Sequence, residues 1–132
     1  MEIKKVYLAG QPNEYENNWK ERFKTLDGFS CYDWEFNSDQ TSPDTFFPAD
    51  LNAIKDSDFL VANPGVAPSE AMWIEAGYFY ALNTKQPGEC CPKLIIIWNK
   101  NRKPVWSIEF VKKTGYVVSS IEEALEKLKS FC

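Results

Sequence analysis

The chain contains no histidine among its 132 residues. No Ser-His-Asp triad, no Cys-His dyad and no histidine metal site can therefore be built from this chain alone. Any acid–base chemistry near neutral pH must then be carried out by carboxylates, tyrosine, lysine or cysteine whose pKa values are shifted by their surroundings. This absence directs the search for a functional site towards Asp, Glu and Tyr.

Long apolar runs, positive charge and phosphate-binding motifs are also missing. No apolar run exceeds five residues, as in 94–98, so we expect no membrane span. The net charge of −4 argues against a nucleic-acid-binding surface. Neither GxGxxG nor GxxxxGK[ST] occurs, so we predict no cofactor and no metal. Residues 1–6 contain no apolar leader, so we expect a cytoplasmic protein with reduced cysteines.

What is present is an alternation of strand-like and helix-like segments within one domain, residues 1–132. Strands are predicted at residues 4–9, 29–34, 58–63, 93–98 and 115–118. Helices are predicted at residues 13–26, 48–57, 69–83, 104–113 and 120–130. This alternation indicates a five-stranded parallel sheet between two helix layers, a three-layer α/β/α sandwich of flavodoxin- or Rossmann-like type.

The predicted helix 69–83 carries one charged residue, Glu75, within the sequence AMWIEAGYFYAL. A helix that is apolar on all sides is expected to be buried. Glu75 is then paired, neutral or desolvated, and a desolvated carboxylate near the strand ends is a candidate nucleophile or general acid. The alternative is a glutamate that reaches solvent or pairs with a lysine.

Two further residues have both a catalytic and a structural interpretation, and a third has a structural one. Asp50, near the start of the predicted helix 48–57, can face the strand ends or stabilise the helix N-terminus. Tyr7 in the first strand can reach a carboxylate at the sheet edge or serve as a core aromatic. Asp58 lies at the opposite end of the sheet and is interpreted as structural.

The connections that follow the strands are the expected place for a ligand. One begins at Gly10 and Gln11, and another is the segment 35–47, which we predict to be a long loop. Aromatic residues that include Trp34 surround this loop, where they either stack on a planar base or close the core; they are Tyr32, Trp34, Phe36, Phe46 and Phe47.

The segments KVYLAG, DLNAIKDSD and PSEAMWIEAGYFYAL together resemble the nucleoside 2-deoxyribosyltransferase family and the related nucleotide N-glycoside hydrolases. The resemblance implies that Glu75 is the nucleophile, that Tyr7 orients it and that Asp50 meets the departing base. It also implies that Ser69 meets the 5′ side of the sugar. Members are generally homo-oligomers built on dimers, and a polar residue of a neighbouring subunit, here Ser107 or Asn99, is expected at the site.

The chain departs from this family pattern in two places. Residues 71–74 replace the usual glycines before the nucleophile, and Glu14 and Glu16 make the first loop acidic. The main prediction is an enzyme that cleaves or transfers the N-glycosidic bond of (deoxy)nucleosides. The alternatives are a nucleoside 5′-monophosphate N-glycoside hydrolase and a non-catalytic nucleoside- or nucleotide-binding module. A flavodoxin-like electron carrier would rest on fold analogy alone.

Overall fold

The computed structural model describes residues 2–12, 18–65, 70–98 and 106–131, with the side chains of 106–108 excepted. Its five strands are β1 (Lys4–Gly10), β2 (Phe29–Asp33), β3 (Phe59–Asn63), β4 (Leu94–Ile97) and β5 (Tyr116–Val118). They form one sheet of order β2-β1-β3-β4-β5 in which every pair is parallel. The predicted five-stranded parallel sheet is thus confirmed.

Helices cover both faces of the sheet, because successive strand residues alternate between two apolar clusters. The helices are α1 (Trp19–Lys24), α2 (Trp34–Asn37), α3 (Pro43–Lys55), α4 (Glu70–Asn83), α5 (Trp106–Thr114) and α6 (Ile121–Lys129). Val6 and Leu8 pack with side chains of α1 and α6. Tyr7 and Ala9 face the other way and pack with side chains of α3, α4 and α5. The three-layer α/β/α architecture is therefore confirmed.

The prediction that residues 35–47 form a loop is wrong. Helix α2 begins at Trp34, where the Asp33 carboxylate accepts a hydrogen bond from the Glu35 amide at 3.0 Å. Helix α3 begins at Pro43, because Ser42 accepts from the Asp44 amide at 3.1 Å and proline suits the first helical turn.

The early start of α3 also changes the place of its second proline. Pro48, which we expected near the helix start, lies inside α3 on an exposed face.

The expectation that helix α4 is buried on all sides is also wrong. Met72, Ala76 and Phe79 are buried, whereas Ile74 is 61% exposed and Leu82 is 47% exposed. One side of α4 packs on the sheet, and a second apolar side has no neighbour within the described part of this chain. In the described residues, no helix is both long and apolar enough to cross a membrane.

Candidate active site

Tyr7 and Glu75 meet in the layer between the sheet and helix α4. Tyr7 is fully buried on β1, and its hydroxyl donates a hydrogen bond to Oε2 of Glu75. Because Glu75 follows the buried Met72 by three positions on α4, it projects from the sheet-facing side of the helix. The structure therefore brings together the two residues that the sequence singles out as nucleophile and orienting tyrosine.

The electrostatics of this pair favour a carboxyl group that ionises near neutral pH. Burial raises the pKa of Glu75 to about 7, and the nearby Asp50 adds to the rise, while the Tyr7 hydroxyl and the Lys20 ammonium oppose it. Burial, together with the charge of Glu75, raises the pKa of Tyr7 well above its ordinary value. Tyr7 therefore stays protonated and acts as a hydrogen-bond donor.

Asp50 lies in the same layer, but not at the start of its helix as we expected. Since α3 begins at Pro43, Asp50 occupies the middle of the helix, so stabilisation of a helix N-terminus does not explain it. Asp50 is 8% exposed, and its Oδ1 accepts a hydrogen bond from the Tyr32 hydroxyl at 3.1 Å. Burial raises its pKa, against the opposing hydrogen bonds of Ser38 and Tyr32. Asp50 is close enough to Glu75 to raise the pKa of Glu75.

Tyr32 and Ser38 are the contacts of Asp50 that the sequence did not assign. Tyr32 was considered only for base stacking or core packing, and Ser38 lay in a segment expected to be a loop. Tyr7 and Tyr32 are paired residues of neighbouring strands, and their rings stack at 5.3 Å between centroids. The sequence places both tyrosines in predicted strands, 4–9 and 29–34, but it does not show that these two strands are neighbours in the sheet.

Gly10 and Gln11 end β1 at the carboxyl edge of the sheet. Gly10 has a φ of +119°, and a Cβ atom there would lie 1.9 Å from the carbonyl oxygen of Asn63. Gln11 is 3% exposed, and its Nε2 donates to the Pro64 carbonyl at 2.8 Å. These contacts connect the turns after β1 and β3, while substrate contacts of Gly10 and Gln11 stay a prediction.

Trp34 lies beside a cluster of charges that we call the Lys20 cluster: Lys20, Lys24, Asp33 and Glu35. The Lys20 ammonium is fully buried, and it lies 2.8 Å from Asp33 Oδ1 and 2.7 Å from Glu35 Oε1. It also lies 4.2 Å from the centroid of the Trp34 ring, so a cation occupies one face of that indole. Base stacking on Trp34 stays a prediction.

Several of the predicted site residues cannot be placed. Ser69, Asn99, Glu14 and Glu16 lie outside the described residues, as does the side chain of Ser107 on α5. Asp58 accepts a hydrogen bond from the Lys5 amide at 2.9 Å, at the end of the sheet away from Glu75. In the described part of the chain, no group of three or more Cys, Asp or Glu side chains could hold a metal ion.

A separate apolar groove of about 300 Å³ lies between α4 and α5. Trp73, Tyr80 and Phe110 contribute to its lining, and neither Glu75 nor Asp50 does. Trp73 and Glu75 are two positions apart on a helix, so their side chains diverge by about 200°. Trp73, which stands where the sequence resemblance led us to expect glycine, therefore points into this groove and away from the carboxylate pair.

Comparison with known proteins supports the fold at low sequence identity. No family model matches the chain, and no curated protein matches it. The solved structure of the CMP N-glycosidase BcmB of Clostridium botulinum is similar, with a TM-score of 0.65, 24% identity, and 96% of this chain and 99% of that chain covered. The solution structure of BlsM is similar with a TM-score of 0.61 and 18% identity, covering 95% of this chain and 85% of that chain. The resemblance noted in the sequence is thus confirmed for the fold: this chain has the architecture of a solved nucleotide N-glycosidase.

Proposed function

We propose that the protein is a nucleotide N-glycoside hydrolase in which Glu75 is the nucleophile and Asp50 serves the departing base. The observation that carries the proposal is a buried Asp50 carboxyl group and a half-buried Glu75 carboxyl group, each receiving a hydrogen bond from a different tyrosine. The similarity to a CMP N-glycosidase across nearly the whole chain supports a nucleoside 5′-monophosphate as substrate.

The proposed reaction has two steps. The Glu75 carboxylate attacks the anomeric carbon, the bond to the base nitrogen breaks, and its electron pair leaves with the base while Asp50 donates a proton. Water then attacks the anomeric carbon, Glu75 departs as a carboxylate, and Asp50 takes the proton from the water. Two displacements at one carbon give net retention of configuration. The hydrogen bond from Tyr7 fixes the orientation of Glu75 during attack.

The test is release of free base from a panel of ribo- and deoxyribonucleotides and the matching nucleosides, followed by chromatography. We expect base release from at least one nucleotide without any acceptor base, and a loss of at least about a thousandfold in Glu75→Gln. Glu126→Gln is the matched control, since Glu126 is an exposed glutamate on α6 that pairs with Lys129. Equal activity of Glu75→Gln and the wild type would overturn the proposed nucleophile.

The same panel separates the alternatives. A product that forms only from a nucleoside and an added base would identify a deoxyribosyltransferase, the reaction that the sequence resemblance implies first. Thermal stabilisation by intact nucleotides without base release would identify a binding module.

We also propose that two copies of the chain associate through the exposed apolar side of α4 and the neighbouring α5. Ile74 and Phe110 are 61% and 72% exposed, and they belong to these two helices. Exposed apolar side chains of this size on adjacent helices are typical of a protein–protein contact. This arrangement accords with the oligomers implied by the resemblance, in which a neighbour supplies a polar residue such as Ser107 or Asn99.

Sedimentation velocity tests the association. We expect a dimer for the wild type and a monomer for Ile74→Lys. Ile3→Lys is the control, because Ile3 is 63% exposed and precedes β1, away from both helices. A monomeric wild type at micromolar concentration would contradict the proposed dimer.

A further inference from the structure

We infer that Tyr32 is a positioning residue that sets the place of Asp50 relative to Glu75 through its pairing with Tyr7. The inference rests on the proposed function, because it assigns a role within the same site. Tyr32 reaches no reacting atom in this scheme. It acts through the Asp50 carboxyl group, which would serve the departing base.

The geometry begins with strand register. Tyr7 of β1 and Tyr32 of β2 are Cα partners in the parallel ladder, so their side chains project from the same face of the sheet. The two rings stack with an interplanar angle of 15°. Their hydroxyls nevertheless serve different carboxylates, because Tyr7 donates to Glu75 of α4 and Tyr32 donates to Asp50 of α3 at 3.1 Å.

This arrangement ties two side chains of separate helices to neighbouring strands. Paired strands lie about 4.8 Å apart, with a spacing that backbone hydrogen bonds fix. Helix positions depend instead on side-chain packing, which allows larger shifts. The tyrosine pair therefore holds the two carboxyl groups at a separation that is set by the fixed spacing of β1 and β2. A nucleophile and an acid that act on one glycosidic bond need such a constant separation.

The charged and titratable groups around Tyr32 keep it a donor. Burial raises the pKa of Tyr32 to about 12, against the hydrogen bond from Ser38, and Asp50 and Glu75 add to the rise. A hydroxyl that stays protonated and donates to Asp50 favours the ionised form of Asp50. Loss of this hydroxyl should therefore raise the pKa of Asp50 and also release its orientation.

The first experiment is Tyr32→Phe, which keeps the stacked ring and removes the hydroxyl. We expect kcat for base release to fall about tenfold with little change in KM, the loss expected for one hydrogen bond to a charged group. The part of the pH–rate profile that reports Asp50 should move to higher pH. Tyr116→Phe is the matched control, since Tyr116 is exposed on β5, and it should change neither quantity.

The second experiment needs no activity. Carbon-13 NMR of the labelled, substrate-free protein follows the titration of the Asp50 carboxyl group, and we expect a higher pKa in Tyr32→Phe than in the wild type. Ser38→Ala should move the pKa of Asp50 in the same direction, because the Ser38 hydroxyl also favours the ionised form. If Tyr32→Phe does not fold, Asp50→Asn tests the same contact from the other side: because the Tyr32 hydroxyl donates to Asp50 and Asp50 raises the pKa of Tyr32, the NMR titration of Tyr32 should move to lower pH in Asp50→Asn, and an unchanged titration would contradict the inference.

The outcomes separate the two proposals. If Tyr32→Phe leaves kcat, the pH profile and the Asp50 titration unchanged while the wild type releases base, the inference fails and the proposed function stands. If no nucleotide or nucleoside is cleaved by the wild type, the proposed function fails, and the NMR titration still shows whether Tyr32 controls Asp50. In the Asp50→Asn background, Tyr32→Phe should cause no further loss of kcat.

Discussion

Two sets of carboxyl groups are wholly or partly buried beside the sheet, and their surroundings differ. In the Lys20 cluster, burial disfavours the charge of Asp33, yet the ammonium groups of Lys20 and Lys24 hold its pKa below the ordinary value. Glu75 receives a hydrogen bond from a tyrosine, and burial raises its pKa to about 7. Among the described residues, no lysine or arginine forms an ion pair with Glu75 or Asp50.

We expect this difference to separate a structural charge from a reactive one. A carboxylate paired with cations is stable as an anion, and removing one partner leaves an uncompensated charge. A carboxylate that only accepts from a hydroxyl is less stable as an anion and is a better nucleophile or acid at neutral pH. The predictions below test whether the Lys20 cluster contributes mainly to stability and the Tyr7–Glu75 pair mainly to activity.

The largest expected effect on stability is that of Asp33→Ala. Because this change leaves Lys20 buried with a single carboxylate partner, we expect the free energy of unfolding at pH 7 to fall by about 3 kcal/mol. The pKa of Asp33 is depressed in the folded state, so its contribution is present at neutral pH and is lost as the pH falls through that lower value. Urea unfolding at pH 7 and pH 3 should show the difference from wild type shrinking at pH 3.

Activity should depend on pH through Glu75. Attack requires the Glu75 carboxylate, whose pKa is raised to about 7, and departure of the base requires protonated Asp50, so we expect kcat/KM to follow a bell-shaped pH profile with one limb near pH 7. Initial rates between pH 5 and pH 9 check this expectation. A profile that is flat from pH 5 to pH 9 would show that no group with such a pKa takes part in the reaction.

The smallest expected effect is a gain in stability from Glu75→Gln. The folded protein binds a proton at Glu75 more tightly than the unfolded chain does, so this group makes the fold less stable as the pH rises from about 4.5 to about 7. Replacing it with a neutral amide should raise the free energy of unfolding at pH 8 by on the order of 1 kcal/mol. Thermal unfolding at pH 4 should show almost no gain in stability. If Glu75→Gln were less stable than the wild type at pH 8, the proposed difference between the Lys20 cluster and the Tyr7–Glu75 pair would be contradicted.

Much of the architecture, and the candidate residues that the structure brings together, can be predicted from the sequence. The alternation of apolar strands and helices predicts the sheet, and a single charge in the apolar helix AMWIEAGYFYAL marks Glu75. The position of Asp50 near the start of the predicted helix 48–57 makes it a candidate, although that helix begins at Pro43. That error arose because Asn, Ser, Asp and Thr favour both loops and helix caps, and Ser42 is a cap.

The rest depended on contacts between segments distant in the chain. Tyr7 and Tyr32 are 25 positions apart, and only the adjacent placement of β1 and β2 brings their rings together. Likewise, the apolar residues of a helix face do not show whether that face packs on the sheet or on a second subunit. The sequence therefore does not predict the exposure of Ile74. Sequence periodicity gives the direction of a side chain and leaves its partner undetermined.

Gly10 has a consequence for how this protein can vary. A side chain of any size at this position would collide with the backbone of Asn63, and a backbone cannot yield as a flexible side chain can. The tolerance of the site to mutation is therefore set in part by a residue that contributes no functional group. A library of variants around Glu75 and Asp50 can explore new substrates freely, provided that position 10 is left out of the randomisation.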